Sequence, residues 1–246
     1  MIKETNIDLV RGMANTFLHL PIEKTKFYPA IVAHPFTDSG ITGINTEDGC
    51  RMVNLCESEE DLKFWQDKVK EVIDKSDLFG IFFMISKPYR FGFLKHIIDF
   101  ISVEDMSTVL GQNWNLVEFS NKDANMTVNQ LLKLFKQAIP EKLMDDDELK
   151  KFNKLPDKIE IYRGLTSYNK NNVKALSWTT KKSVAEWFAN RFQQGDGVVY
   201  SATIDKKYVY AYFGGRNEAE VIVDPSKLKE IKLFLDFSEE NRSMAS

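Results

Sequence analysis

The chain has almost no cysteine. Cys50 and Cys56 are the only two, too few for a disulfide framework, and their spacing is not CxxC. Histidine is equally scarce: His19, His34 and His96 are the whole supply and none lies near a cysteine in sequence, so no metal site is expected. Long apolar runs are missing too. The longest, Leu78 to Ile85, is far shorter than the ~20 residues that cross a bilayer, which excludes a membrane-spanning helix. Met1 to Val10 carries Lys3, Glu4 and Asp8 and has no signal-peptide core, so a cytoplasmic protein without a membrane partner is expected. Twelve glycines and seven prolines leave little room for long disorder.

What is present is ordinary for a globular protein: 43% apolar and 28% charged residues over 246 positions, enough for one sizeable core or two small ones. The net charge of −3 hides an asymmetry, −7 over residues 1–150 against +4 over residues 151–246. A mildly basic C-terminal part suits an anionic ligand such as a dinucleotide. It is too weak to argue for a nucleic-acid target.

Periodicity organises the first half. Ile7, Val10, Met13, Ala14 and Phe17 predict a partly helical start. Phe27 to Ala33 and Met52 to Leu55 read as strands. Ser58 with Asp61 resembles a capping box ahead of Leu62, Trp65, Val69, Val72 and Ile73 at helical spacing. Leu78 to Ile85 reads as a buried strand, and Phe91, Leu94, Ile97, Ile98 and Ile101 as another helical stripe. Trp114 to Phe119 is a plausible strand. Thr127 opens a helix with Leu131, Leu134, Phe135 and Ala138, stopped near Pro140. Asp145 to Glu148 reads as a solvated helix N-terminus. The polar tail, Ser238 to Ser246, is expected to fray.

After residue 150 the pattern becomes strand-rich. Strands are predicted at Lys158 to Tyr162, Ala175 to Thr179, Gly197 to Ile204, Val209 to Phe213, Glu218 to Val223 and Leu228 to Phe237. One helix, Lys181 to Phe192, is inserted with Val184, Ala185, Phe188, Ala189 and Phe192 towards a core.

Three short elements carry chemistry. In Glu218-Ala219-Glu220, residues two apart on a strand project from one face, about 7 Å apart. Two adjacent anions suit a reaction that develops positive charge, such as loss of a leaving group from a sugar C1. Taken alone, the pattern is weak and reads first as an edge strand with one solvated face. In Tyr162-Arg163-Gly164 a strand ends at an arginine, whose planar fork fits phosphate oxygens, and a glycine allows close approach of a ligand. Taken alone, this reads first as a strand-ending arginine beside a turn. In Ser177-Trp178-Thr179, hydroxyls at alternate positions can brace a carboxylate or a ribose. Thr179 or Thr180 can also cap the helix that follows.

In this order the elements resemble the ADP-ribosyltransferases of the R-S-E, cholera-toxin-like class. Tyr162-Arg163-Gly164 is similar to the arginine motif, Ser177-Trp178-Thr179 to the Ser-Thr-Ser motif, and Glu218-Ala219-Glu220 to the Glu-x-Glu motif. Ala185-Glu186-Trp187-Phe188-Ala189 resembles the A-x-x-F-A helix of the superfamily. Val209 to Phe213, Arg216 and Asp224-Pro225 resemble a group of phage and bacterial relatives.

The resemblance covers roughly residues 150–237. It implies an α+β chain whose C-terminal core is the split-sheet β-sandwich of that family, with an N-terminal α/β extension. Residues 1–120 form an α/β region of unassigned role, and residues 121–246 the transferase domain with its motifs within 158–225.

The resemblance also implies roles. NAD is the co-substrate, without a metal. Arg163 holds its diphosphate or nicotinamide ribose, Ser177 orients the glutamate, and Glu220 bonds the ribose 2′-OH and stabilises the oxocarbenium ion. Glu218 positions or deprotonates the acceptor, and Arg216 helps to recognise it. Tyr162, Gly164, Trp178, Thr179 and Phe213 belong to the NAD site, with Trp178, Tyr212 and Phe213 as candidates for a ring near the nicotinamide. The acceptor is RNA or protein, in the setting of a bacterial toxin, anti-phage defence or phage effector with a possible antitoxin or inhibitor partner. NAD glycohydrolysis with water as acceptor, or a non-catalytic interaction module, are the alternatives. A two-carboxylate glycoside hydrolase fits poorly, because its carboxyls must flank the scissile bond.

Overall fold

A computed structural model describes residues 3–114, 116, 123–192 and 196–237. They fall into two compact units: 3–109 with 116 and 123–126, and 110–114 with 127–192 and 196–237. Among the described residues, no helix is long and apolar enough to cross a membrane.

The first unit holds α1 (Ile7–Leu18), the two-stranded pairs β1 (Glu23–Lys24) with β2 (Val32–Ala33) and β3 (Ile41–Thr46) with β4 (Gly49–Asn54), then α2 (Glu59–Lys75), α3 (Leu78–Met84) and α4 (Arg90–Ile97). It also holds the start of α5 (Val103–Trp114), whose end from Leu110 belongs to the second unit. Ser58 caps α2 as the sequence predicts, accepting from Asp61 N.

The Leu78 to Ile85 run corrects an expectation: it is helix α3, not a strand. The Asp77 carboxylate accepts from Gly80 N at 2.7 Å and caps the turn. Leu78, Ile81, Phe82 and Ile85 are buried at helical spacing while Phe83 is 83% exposed. An unbroken apolar run does not itself reveal its period. Phe27 to Ala33 shrinks to Val32–Ala33, because Thr25 Oγ1 accepts from Phe27 N and donates to Ile31 O, holding the chain in a turn. Val72, placed in the α2 stripe, is 50% exposed. Trp114 ends a helix and opens no strand. Residues 115 and 117–119 of that expected strand, and the tail 238–246, lie outside the described residues.

The second unit continues with α6 (Val128–Gln137), α7 (Pro140–Leu143) and α8 (Asp146–Asn153). Then come β5 (Lys158–Leu165), β6 (Ser177–Thr179), α9 (Lys182–Asn190), β7 (Val198–Asp205), β8 (Val209–Phe213), β9 (Glu220–Val223) and β10 (Lys229–Asp236). All six strands form one antiparallel sheet in the order β10-β7-β5-β6-β9-β8. The chain is therefore α+β, and among the described residues this is its largest sheet.

Thr127 and Gln130 form the capping box of α6. Asp145 and Glu148 form that of α8, where the charge run is only partly solvated because Glu148 is buried. Asp224, at the end of β9, is also buried; it accepts from Ser226 and from Lys136 of α6 at 2.8 Å. Val221, Ile222 and Val223 are fully buried, each contributing roughly 1.5–3 kcal/mol of transfer free energy.

Helix α9 lies on the sheet with its backbone against two glycines. A Cβ on Gly164 would sit 1.9 Å from Ala185 O, and one on Gly197 2.0 Å from Ala189 O. Ala185 and Ala189 are the buried residues of α9; Phe192, expected in the core, is 50% exposed. The small residues on both sides allow this approach. Gly164→Ala should force helix and strand apart and lower stability by about 3 kcal/mol, the upper range of overpacking. Thermal unfolding followed by circular dichroism checks this; an unchanged midpoint would contradict the packing.

Candidate functional site

Glu220 opens β9, paired in register with Thr179 of β6 on one side and Phe213 of β8 on the other. Ser177, two residues from Thr179 on the same strand, is its diagonal neighbour, and its hydroxyl donates to the Glu220 carboxylate. A second donor comes from α5: Trp114 Nε1 reaches Glu220 Oε1 at 3.0 Å. Glu220 is 8% exposed and Trp114 2%.

Arg163 sits on β5, the strand beside β6. Its Nε donates to Asn172 O at 3.1 Å and its Nη1 to Ser177 O. The guanidinium is thus fixed against β6 and the connection leading to it, with two of its five donors engaged there. Burial lowers its pKa to about 10, partly offset by the charge of Glu220. Ser177 links the two: its carbonyl accepts from Arg163 and its hydroxyl donates to the Glu220 carboxylate, so three residues far apart in sequence are brought together.

The pKa of Glu220 is raised. Burial is the main cause; hydrogen bonds from Ser177 and Trp114 oppose it, Glu218 adds to it and Arg163 opposes it. The pKa of Glu218 is also raised by burial, against the charges of Arg216 and Arg191.

Glu218 is not placed by strand alternation. The strand begins only at Glu220, and Ala219 between the two glutamates has φ +45°. Asn217 has φ +59°. Left-handed backbone at a residue with a Cβ costs about 1–2 kcal/mol, so this turn must be held from outside. Glu148 accepts from Gly214 N at 2.8 Å, Thr179 Oγ1 donates to Glu218 O at 2.6 Å, and Thr180 N donates to Ala219 O at 3.1 Å. Thr179 and Thr180 thus brace the turn, and the α9 N-terminus has no side-chain cap. Glu218 and Arg216 line a cleft of about 220 Å³ with Ser183, Val184, Trp187 and Asn217. Trp187 is 60% exposed there.

The other candidate residues turn inward. Trp178 is buried, its Nε1 donating to Ala175 O at 3.1 Å. Phe213 is buried beside Glu220 in the sheet. Tyr162 packs with Ala185, Ala189 and Val199 and meets the Phe234 ring at 5.6 Å. Gly164 faces the α9 backbone instead of open space. Tyr212 is 9% exposed, with Lys151 Nζ 5.8 Å from its ring centre.

Sequence reasoning missed Trp114 and Glu148. The one hint at Trp114 is that a buried indole N–H needs an acceptor; nothing pointed to Glu220 as that acceptor. Glu148 stood within an acidic run that reads as solvated. Among the described residues, no three or more His, Cys, Asp or Glu side chains gather as a metal site. No family model matches the chain, and no curated protein or solved structure is found similar to it.

The raised Glu220 pKa has a sign. The folded state holds this proton to a higher pH than the unfolded state, so stability falls as pH rises through that window and the full cost remains above it. Glu220→Gln keeps an acceptor for Trp114 and removes the buried charge. It is expected to melt a few degrees above the parent at pH 8, at roughly 2–4 °C per kcal/mol, with the gain shrinking towards pH 4. A variant that melts lower at pH 8 would contradict this assignment.

Proposed function

We propose that the second unit is an NAD-dependent mono-ADP-ribosyltransferase, and that its sheet is the split-sheet core of that family. The observation that supports the reading is the link from Arg163 through Ser177 to Glu220: Arg163 donates to Ser177 O, the Ser177 hydroxyl donates to the buried Glu220 carboxylate, and the Arg163 charge favours the Glu220 anion.

The donor set suits a dinucleotide. Arg163 supplies a cation for the diphosphate or the ribose side. Ser177 orients Glu220. Glu220, ionised, bonds the ribose 2′-OH and stabilises positive charge at C1. The C1–nitrogen bond to nicotinamide breaks, its electron pair leaves with nicotinamide, and the sugar becomes an oxocarbenium ion. A nucleophile of the acceptor then bonds to C1 and gives its proton to Glu218. Arg216, in the cleft beside Glu218, contacts the acceptor. The acceptor is RNA or protein, and the setting a toxin, defence protein or phage effector held in check by an antitoxin or inhibitor.

Incubation with NAD separates the steps. Glu220→Gln should lower nicotinamide release by about 10²–10³-fold, the scale of one preorganised electrostatic group. Release at the parent rate would falsify the role of Glu220.

Glu218→Gln should keep nicotinamide release within several-fold and lose transfer of labelled ADP-ribose to a cell lysate. Equal transfer by this variant would remove Glu218 from the acceptor step. Nuclease or protease treatment of the labelled lysate then identifies the acceptor. Nicotinamide release with no labelled macromolecule would point to water instead.

A further inference from the structure

We propose that Trp114 is a positioning residue of the Glu220 site, an indole donor delivered by the end of α5 that fixes one carboxylate oxygen and with it the plane of the group. The role in catalysis rests on the transferase reading; the contact does not.

Delivery is built into the packing. A Cβ on Gly111 would lie 2.0 Å from Leu143 O, so α5 meets the end of α7 backbone to backbone. Trp114 follows three residues later, on the same side of the helix. Its ring and that of Phe135 from α6 form a T-shaped pair, with centroids 4.9 Å apart and planes at 84°. Helix and ring are thereby held while the N–H points at Glu220 Oε1.

The chemistry of the donor is specific. An indole N–H donates and cannot accept, carries no charge and does not titrate. It favours the carboxylate anion and competes for no proton in the reaction. A tryptophan buried only for its bulk can satisfy its N–H on a backbone carbonyl, as Trp178 does on Ala175. Trp114 instead spends its donor on a buried acidic side chain 106 residues away. The charged groups facing Glu220 are Arg163 from β5 and Glu218 from the preceding turn; Ser177 from β6 and Trp114 from α5 are neutral.

The full chain labelled with 15N-tryptophan gives four indole signals, one per tryptophan. Trp114→Phe, which keeps a ring against Phe135, assigns one of them by its loss. That signal should move with pH in a single transition above the ordinary carboxylate range, and the movement should vanish in Glu220→Gln. In NAD cleavage, Trp114→Phe should lower kcat by about 10- to 100-fold, the loss of one hydrogen bond to a charged group. It should leave KM nearly unchanged and move the acid limb to higher pH, because the lost donor favoured the anion.

A signal that ignores both pH and Glu220→Gln overturns the contact. Parent kcat and an unmoved acid limb in Trp114→Phe overturn the positioning role. If the parent chain releases no nicotinamide, the transferase reading fails and with it the catalytic role, while the indole titration still decides the contact.

Discussion

A carboxylate buried at the start of an interior strand constrains everything around it in the second unit. Removed from water, the Glu220 anion is tolerable only with donors and a cation at hand. Ser177 and Trp114 supply the hydrogen bonds and Arg163 the charge, each from a different element. Those donors do not fully cancel the burial, because the pKa stays above the ordinary carboxylate value. A core built for stability alone would place an apolar residue there, as the next three positions of β9 do. That exception is what makes the position the candidate site.

The same logic explains the surrounding rigidity. Helix α9 is drawn onto the sheet through Gly164, Gly197, Ala185 and Ala189, which leaves β5 little freedom at Arg163. The turn before β9 holds two left-handed residues, and three separate anchors from Glu148, Thr179 and Thr180 keep it in place. Strain of this kind persists only where surrounding bonds over-determine it. Here it separates two glutamates that a regular strand would have aligned.

Local signals were legible where one principle dominated. The helix starts at Ser58, Thr127 and Asp145, the β-branched run of β9 and the strand positions of Arg163, Ser177 and Glu220 are all legible in the sequence. Leu78 to Ile85 is ambiguous in sequence because an unbroken apolar run of this length suits a strand and a helix alike, and the deciding cap, Asp77, lies just outside the run. Gly164 illustrates a different limit: a glycine that admits close approach does not say what approaches, and here it is a helix backbone. Trp114 was invisible for a third reason, since a contact between residues 106 positions apart leaves no local pattern.

The two glutamates illustrate why geometry matters more than motif spacing for assigning roles. Both pKa values are raised by burial, yet their neighbours differ in kind. Glu220 has two hydrogen-bond donors that hold it in one orientation, and these and the charge of Arg163 favour its charged form. Glu218 has the charges of Arg191 and Arg216 and lines an open cleft where a partner could approach. A group held as an oriented anion is suited to stabilising charge, whereas a less confined carboxylate with a raised pKa is suited to taking a proton. In the proposed reaction these are separate tasks at separate steps. The left-handed turn at Ala219 allows two acids, two residues apart, to occupy environments different enough to divide them.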